Sequence, residues 1–289
     1  FQVNSKYLAD YDSFKLVCTV PVYEGNVQTA EKTVELEGEL RANDYYYFVL
    51  RGITAMQMND MMLAQLHLTK GGVEYVSKVD DYSIAEYAYY QLNNTKATVQ
   101  LKKLCANLLQ YGAAVQTWTN YRTDALATNL MTEAYEAYLT DPETVTYTSN
   151  SANLGGLDNP TVKFSAKTLL LDERVIVRLT MNLANFTGNK EDLNVRVNFT
   201  NVRGEEQNLT ITEIKPYSGA NYYIVDIDAL TAADMRSLVT ATVYEGDTQV
   251  SATTQYSIES YVAKAPASVL PVCKAMLAYG DAAHAAFSK

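Results

Sequence analysis

The sequence predicts an α+β protein of two tandem modules, each an antiparallel immunoglobulin-like β-sandwich followed by two helices. Three observations carry that expectation. A set of residues recurs at a nearly constant offset, so one architecture is used twice. Most of each copy consists of short β-branched or aromatic segments, several alternating with period two. Each copy then changes to a helical period behind a serine cap.

The repeat sets the domain plan. Tyr82-Ser83-Ile84-Ala85-Glu86-Tyr87 returns 174 residues later as Tyr256-Ser257-Ile258-Glu259-Ser260-Tyr261. The same offset, taken upstream without a gap, matches Ile53 to Ile227, Ala55 to Ala229, Asp60-Met61 to Asp234-Met235 and Gly72 to Gly246. Downstream, Leu108-Leu109-Gln110-Tyr111-Gly112 answers Met276-Leu277-Ala278-Tyr279-Gly280 at 168, a loss of six residues between the helical segments. Near the amino end, Lys6 and Thr19 match Lys167 and Thr180 at 161, which predicts 13 extra residues, about one hairpin strand, in the second copy. The domains are therefore 1–122, a first sandwich-plus-helices module; 123–157, a linker with a short helix; and 158–289, a second module. Within the linker, Asp124–Leu139 could be helical, with Asp141-Pro142 ending it, and Thr148–Pro160 is rich in Ser, Asn and Gly.

In the second copy the strands are predicted at Thr168–Leu171, Arg174–Leu183, Leu193–Thr200, Asn208–Ile214, Tyr222–Ile227, Ser237–Tyr244 and Thr248–Thr253. Arg174 to Leu179 and Asn194 to Phe199 alternate cleanly, so one face is buried and the other wet. Tyr244-Glu245-Gly246-Asp247 reads as a hairpin turn needing positive φ at the glycine. A short helical turn is expected over Ala55–Met61 and Ala229–Met235. Ser83 is the first helix's N-cap, Glu86 completes a capping box, and Tyr82 with Tyr87 form a hydrophobic staple. Ser257 and the Tyr256/Tyr261 staple persist in the second copy, but Ser260 replaces the glutamate. The second helices carry the stripes Leu101, Leu104, Leu108, Gly112, Val115 and Val269, Val272, Met276, Gly280, Ala283. A mid-helix glycine in both copies implies a helix-to-sheet contact too close for a methyl group.

Composition narrows the function classes. Hydrophobic residues at 48% and charged residues at 19% can fill real cores, which excludes disorder. A net charge of −10 without a basic cluster excludes nucleic acid and anionic membrane as partners. No apolar run reaches the roughly 18 residues of a membrane-spanning helix, and the strand-like opening at Phe1 reads as a mature chain or one cut at residue 1. The 23 tyrosines, abundant Thr and Asn and low charge suit an exported surface protein.

No residue set reads as catalytic, cofactor-binding or metal-ligating, so no enzyme is expected. Cys18, Cys105 and Cys273 sit in apolar patterns without a CxxC pair and read as small buried hydrophobes. His67 and His284 lie in no metal spacing, and neither GxSxG, Walker nor GxGxxG motifs occur. Asp226 and Asp228 flank Ile227 and share a strand face that could hold calcium. The first copy has Gly52 and Thr54 there and no calcium-loop rhythm is present, so surface charge is the reading. The repeated Tyr-Ser-Ile box could be a two-phenol ligand site, but cap, staple and first apolar turn explain each position. Tyr45-Tyr46-Tyr47 and Tyr87, Tyr89, Tyr90 are dense enough for a sugar-stacking platform, although alternation buries about half of the strand tyrosines and Trp118 ends an amphipathic helix.

One resemblance rests on these residues. Ile53-Thr54-Ala55 with Met58-Asn59-Asp60, Gly72, Tyr82-Ser83-Ile84, Leu109 to Gln116, and Asn120-Tyr121-Arg122-Thr123-Asp124 resemble the tandem modules of large secreted or cell-wall proteins of gut Clostridia and related Firmicutes. The resemblance covers most of both copies and concerns scaffold signatures. It implies an extracellular or cell-surface location beside repeat, adhesive, dockerin or glycan-active domains, with no assigned activity. The second copy departs at Asp281 and His284, where the first has Ala113 and Gln116, which argues against a shared site at that helix end. The expected function is a non-catalytic spacer or adhesion module pair, with other domains of a longer surface protein, or a host or dietary glycan or protein, as partners. A glycan-binding module using exposed tyrosines is the alternative, and an accessory part of a glycan-active enzyme the third.

Overall fold

The computed structural model describes residues 1–171 and 175–288. The chain divides into two compact units, Phe1–Ala97 with Leu108–Ala137, and Thr98–Asn107 with Tyr138–Lys289. The class is mixed α+β, with antiparallel sheets in both halves and helices ending each.

The first half runs through β1 (Gln2–Asn4), β2 (Ser13–Glu24), β3 (Val27–Leu36), β4 (Glu39–Leu40), β5 (Tyr45–Tyr47), a 3-10 turn at Ala55–Gln57, β6 (Met62–Lys70), β7 (Val73–Val76) and β8 (Asp80–Tyr82). Helices α1 (Ile84–Asn93) and α2 (Val99–Thr119) follow, then one turn of helix, α3 (Glu133–Glu136). One sheet has the order β1-β5-β4; the other has β3-β2-β6-β7, with β8 also paired to β6. The second half contains β9 (Ala152–Gly155), β10 (Lys163–Leu171), β11 (Val175–Asn182), β12 (Leu193–Thr200), β13 (Glu206–Ile211), β14 (Lys215–Pro216), β15 (Tyr222–Ile227), a 3-10 turn at Ala232–Asp234, β16 (Val239–Glu245), β17 (Thr248–Gln249) and β18 (Thr253–Tyr256). It ends in α4 (Ile258–Val262) and α5 (Leu270–Phe287). Its sheets are β10-β11-β15-β14 and β13-β12-β16-β18-β9, with β17 on β16.

Strand for strand, β1 to β8 correspond to β11 to β18, because each pair holds the same place in the same ladder. The registers correct the offsets read from sequence. Asn4 opposes Tyr45 as Asn182 opposes Tyr222, and Cys18 opposes Ala64 as Val197 opposes Ala241. The amino-terminal offset is therefore 178 to 179 residues, not 161. The second copy gains no internal hairpin strand; β9 and β10 instead precede the counterpart of β1. Nor is the offset of 174 gapless upstream. Met62 opposes Tyr82 as Val239 opposes Tyr256, so the second hairpin is three residues shorter and the preceding offset is 177. The lone matches at 161 and the ungapped run paired residues that hold different places in the ladders and turns.

Several elements differ from expectation. The expected helix over Asp124–Leu139 shrinks to α3, because the backbone of Ala125 and Ala127 is taken by the Gln116 amide, at 3.1 and 2.7 Å. β9 forms inside the Ser/Asn/Gly-rich stretch, where pairing with β18 overrides weak propensity. Arg174, placed at the start of a strand, lies outside the described residues. On α2 the buried positions are Cys105, Ala106, Asn107, Leu109, Tyr111, Gly112, Ala113 and Gln116, while Leu104, Leu108 and Val115 are half-buried, so the stripe is rotated from the one expected. Alternation does locate the main core: Val177, Leu179 and Met181 of β11, Val195 and Val197 of β12, and Val243 of β16 are all buried. Each such side chain contributes about 1.5–3 kcal/mol relative to an exposed one.

The helix-start chemistry is partly relocated. Ser83 Oγ accepts from Glu86 N at 3.1 Å, as expected, but Glu86 is exposed and makes no return bond among the described residues. Ser257 Oγ faces Ser260 Oγ at 2.9 Å instead of capping α4. Reciprocal capping boxes occur at the 3-10 turns: Thr54 with Gln57, and Thr231 with Asp234.

The glycines pack against these turns, not against a sheet. A Cβ at Gly112 would lie 2.7 Å from Met58 Sδ and 3.2 Å from the Ala55 carbonyl oxygen; at Gly280 the equivalent distances are 2.8 Å to Met235 Sδ and 3.1 Å to the Ala232 oxygen. The methionines can move; the carbonyls belong to backbone held by the capping boxes. Replacing either glycine with Leu is expected to cost at least about 1–3 kcal/mol, despite leucine's better helix propensity, read as a lower urea midpoint. A variant of wild-type stability would show that the contact does not constrain the helix.

Candidate functional site

The repeated residues converge on the junction between the 3-10 turn and the glycine-bearing helix, and each unit surrounds its junction with a different polar network. In the first unit the Gln57 amide oxygen accepts from Thr54 N and Oγ1 at 3.1 and 3.0 Å, closing the turn. The turn delivers Asp60 to the interior, where its side chain is 1% exposed. There Tyr121 Oη donates to Oδ2 at 2.5 Å and Arg122 Nη1 to Oδ1 at 3.0 Å. The guanidinium also donates to the Asn59 carbonyl at 3.2 Å and lies 4.3 Å from the Tyr23 ring centroid. Asn120 and Arg122 have φ of 55° and 44°, a left-handed bend that turns the chain back after α2, where Arg122 N reaches the Gly25 carbonyl.

Burial pushes the Asp60 carboxyl above its ordinary value, opposed by the bonds from Tyr121 and Arg122. The Tyr121 phenol is raised strongly, first by burial and then by its bond to Asp60. Chemically this is a clamp: both carboxylate oxygens are taken by groups that tie Tyr121 and Arg122 to the turn.

In the second unit Asp234 closes the turn, accepting from Thr231 N and Oγ1 at 3.0 and 2.6 Å and from Val202 N at 2.7 Å. Arg236 makes a two-pronged pair with Asp281, 2.5 and 2.7 Å, and reaches Glu259 Oε2 at 2.7 Å and the Thr146 carbonyl at 3.0 Å. The other Glu259 oxygen accepts from Asn150 Nδ2 at 2.6 Å and Thr148 Oγ1 at 3.2 Å. The Asp281 bond, opposed by burial, raises the guanidinium's pKa. Asn59, Ala113 and Ala85 stand at the equivalent places of the first unit, so the cluster belongs to one unit only. His284, the other departure, is exposed, its Nδ1 3.1 Å from the Ala233 carbonyl.

Among the described residues, two of the second unit's clefts bear on function. One, of about 350 Å³, is lined by Val202, Arg203, Asp234, Tyr279, Ala283 and Phe287. Its carboxylate, Asp234, already accepts three bonds. The other, of about 420 Å³, is lined by Phe164, Lys167, Tyr256, Tyr261 and Lys264. Burial and the Lys264 charge lower the Lys167 pKa. Its ammonium is engaged with the carbonyls of Ala152 and Gln255 at 2.9 and 3.2 Å.

The residues singled out from sequence are dispersed. Tyr45, Tyr46 and Tyr47 are half-buried in β5; Tyr47 stacks under Arg41 and accepts from Asn43. Tyr89 is core, bonded to the Ala127 carbonyl and Leu130 N, whereas Tyr87 and Tyr90 are exposed one helical turn apart, so the proposed triplet is a pair. Trp118 is exposed on α2. Asp226 is held by both prongs of Arg178, its cross-strand partner, at 2.7 and 2.6 Å, and Asp228 is exposed. His67 Nδ1 lies 2.9 Å from Glu74 across a hairpin. Among the described residues no three His, Cys, Asp or Glu come together as metal ligands.

Sequence reasoning missed both carboxylate networks as sites. The Thr-x-x-Gln and Thr-x-x-Asp turns were a usable signal. The partners of Asp60 and Arg236 are not, since Tyr121, just past α2, and Asp281, within α5, are remote in sequence. No family model matches the chain, and no curated protein matches it.

Two outcomes follow from these environments. Asp60→Ala, which leaves the Arg122 cation unpaired, is expected to lower unfolding free energy by about 3 kcal/mol; an unchanged denaturation midpoint would show the clamp to be idle. The three buried thiols are raised by desolvation, Cys105 and Cys273 to about 11. Below the ordinary value of 9.0 both folded and unfolded thiols are protonated, and above it only the unfolded state releases protons. Stability should therefore fall as pH rises from 9.0 to about 11, and Cys-to-Ser variants should flatten that slope in alkaline denaturation curves.

Proposed function

We propose that this chain is a non-catalytic spacer or adhesion module pair of an exported bacterial surface protein, of the kind its scaffold signatures resemble. One observation carries the reading: the polar groups at the repeated turn–helix junctions are consumed in holding the fold. Thr54 and Gln57, like Thr231 and Asp234, close turns; Asp60 anchors Tyr121 and Arg122; Glu259 and Asp281 hold Arg236. The charged groups differ between the units while the packing contact is kept, as expected where selection acts on shape. We further infer that the two sheets of each unit face one another as an immunoglobulin-like sandwich, since both sheets of the second unit have a buried apolar face. Among the described residues no helix is long and apolar enough to cross a membrane; the cell-surface location rests on composition and resemblance.

A second reading has its own support. Tyr87 and Tyr90 present two rings on the outer face of α1, a rigid element on which a sugar could stack. A glycan array probed with the intact chain, paired with glycoside-hydrolysis assays, separates the readings. The scaffold reading expects neither turnover nor a specific glycan. Specific binding abolished by Tyr87→Ala and Tyr90→Ala, in a protein of unchanged melting temperature, would replace it with the glycan-binding reading.

A further inference from the structure

The 420 Å³ cleft of the second unit, lined from β9, β10, β18 and α4, differs in kind from the turn–helix junctions. Its walls carry the rings of Phe164, Tyr256 and Tyr261, and both of its charges are positive, Lys167 and Lys264. Among the described residues no carboxylate lines it, although the whole chain has a net charge of −10. The two ammonium groups feel one another, since the Lys264 charge helps to lower the Lys167 pKa. Like charges that line one space repel, and an anion between them removes that cost.

Hydrogen bonding sorts the polar groups of the cleft into used and unused. Lys167 is used: its three protons meet the carbonyls of Ala152 and Gln255 at 2.9 and 3.2 Å and Ser151 Oγ at 3.3 Å. Asn153 Oδ1 accepts from Thr254 Oγ1 at 2.9 Å, and Ser165 Oγ donates to the Thr180 carbonyl at 3.2 Å. The Lys264 ammonium and the hydroxyls of Tyr256 and Tyr261 make no hydrogen bond among the described residues. Tyr256 is 4% exposed, and a phenol so buried ordinarily has a partner, which here the cleft can admit. A sugar would need partners for hydroxyls all around its ring, yet the oxygens of Ser151, Asn153 and Ser165 are engaged. The cleft instead sets one group of free donors against aromatic walls, which suits a molecule with an anionic end and an apolar ring.

We propose that this cleft binds a small arylalkyl carboxylate. The carboxylate accepts from Lys264 Nζ and from the hydroxyls of Tyr256 and Tyr261, while the ring lies against Phe164 and the tyrosine rings. Lys167, fixed by its own bonds, adds attraction without a contact. The site belongs to the second unit alone, because Tyr90 holds the place of Lys264 in the repeat. It goes beyond the spacer reading and holds whether the molecule is a spacer or a glycan binder.

The probe is 3-phenylpropionate, titrated into the intact chain and followed by NMR, with 3-phenylpropionamide as its uncharged counterpart. The acid is expected to shift the resonances of Phe164, Tyr261 and Lys264 with a Kd of about 1 mM, ordinary for a ligand of about eleven non-hydrogen atoms. The amide should bind at least about tenfold more weakly, and added salt should weaken the acid alone. Lys264 is exposed, so Lys264→Ala should keep the native melting temperature while losing about tenfold in affinity for the acid, and Lys264→Arg should retain most of it. Tyr261→Phe, which keeps the ring and removes the hydroxyl, should cost several-fold. Absence of saturable binding, equal binding of acid and amide, or an unchanged Kd in Lys264→Ala would each overturn the proposal. So would tighter binding of a peptide ending in phenylalanine than of the free acid, since the cleft would then serve a polypeptide terminus.

Discussion

The close approach of a helix backbone to a 3-10 turn is the contact on which the rest of each half depends. Gly112 over Ala55 and Met58, and Gly280 over Ala232 and Met235, leave no room for a side chain. The turn can be approached so closely because its capping box satisfies the polar groups that would otherwise need water. From that junction the chain runs into β6 or β16 on one side, and the helix supplies buried residues such as Leu109 or Met276 on the other. Sheet and helix are thereby held in one relation in both units.

Around that shared contact the units diverge in what seals the junction. The first folds back the segment after α2, with Tyr121 and Arg122 gripping Asp60. The second is sealed from the opposite chain direction, as Thr146 to Asn150 meet Arg236, Glu259 and Ser260. Buried charges of this kind cost desolvation and return it only when fully bonded, so they specify which segment docks more than they stabilise the fold. Asp60 and Glu259 meet that condition, since both oxygens of each are bonded.

The sequence by itself determined the elements whose signal is local. Alternation located the buried faces of β11 and β12, the Gly246 turn has the positive φ that its hairpin requires, Ser83 caps α1, and the Tyr-Gly pair lies mid-helix in both copies. It also made the repeat visible, because Tyr82 and Tyr256 do end equivalent strands. Tertiary structure alone decided the register of that repeat. Side-chain identity at a single position carries little information, whereas a ladder fixes every residue to a partner, and only the ladders reveal a difference of 178 where the letters suggested 161. β9 exists because β18 offers it hydrogen bonds, and residues 124–132 are not helical because Gln116 and Tyr89 claim their backbone. The carboxylate clamps were illegible for the same reason: Asp60 lies 61 residues from Tyr121, and Arg236 lies 45 from Asp281. No periodicity reaches across such a gap, and the meeting is made by the packing of a helix on a turn.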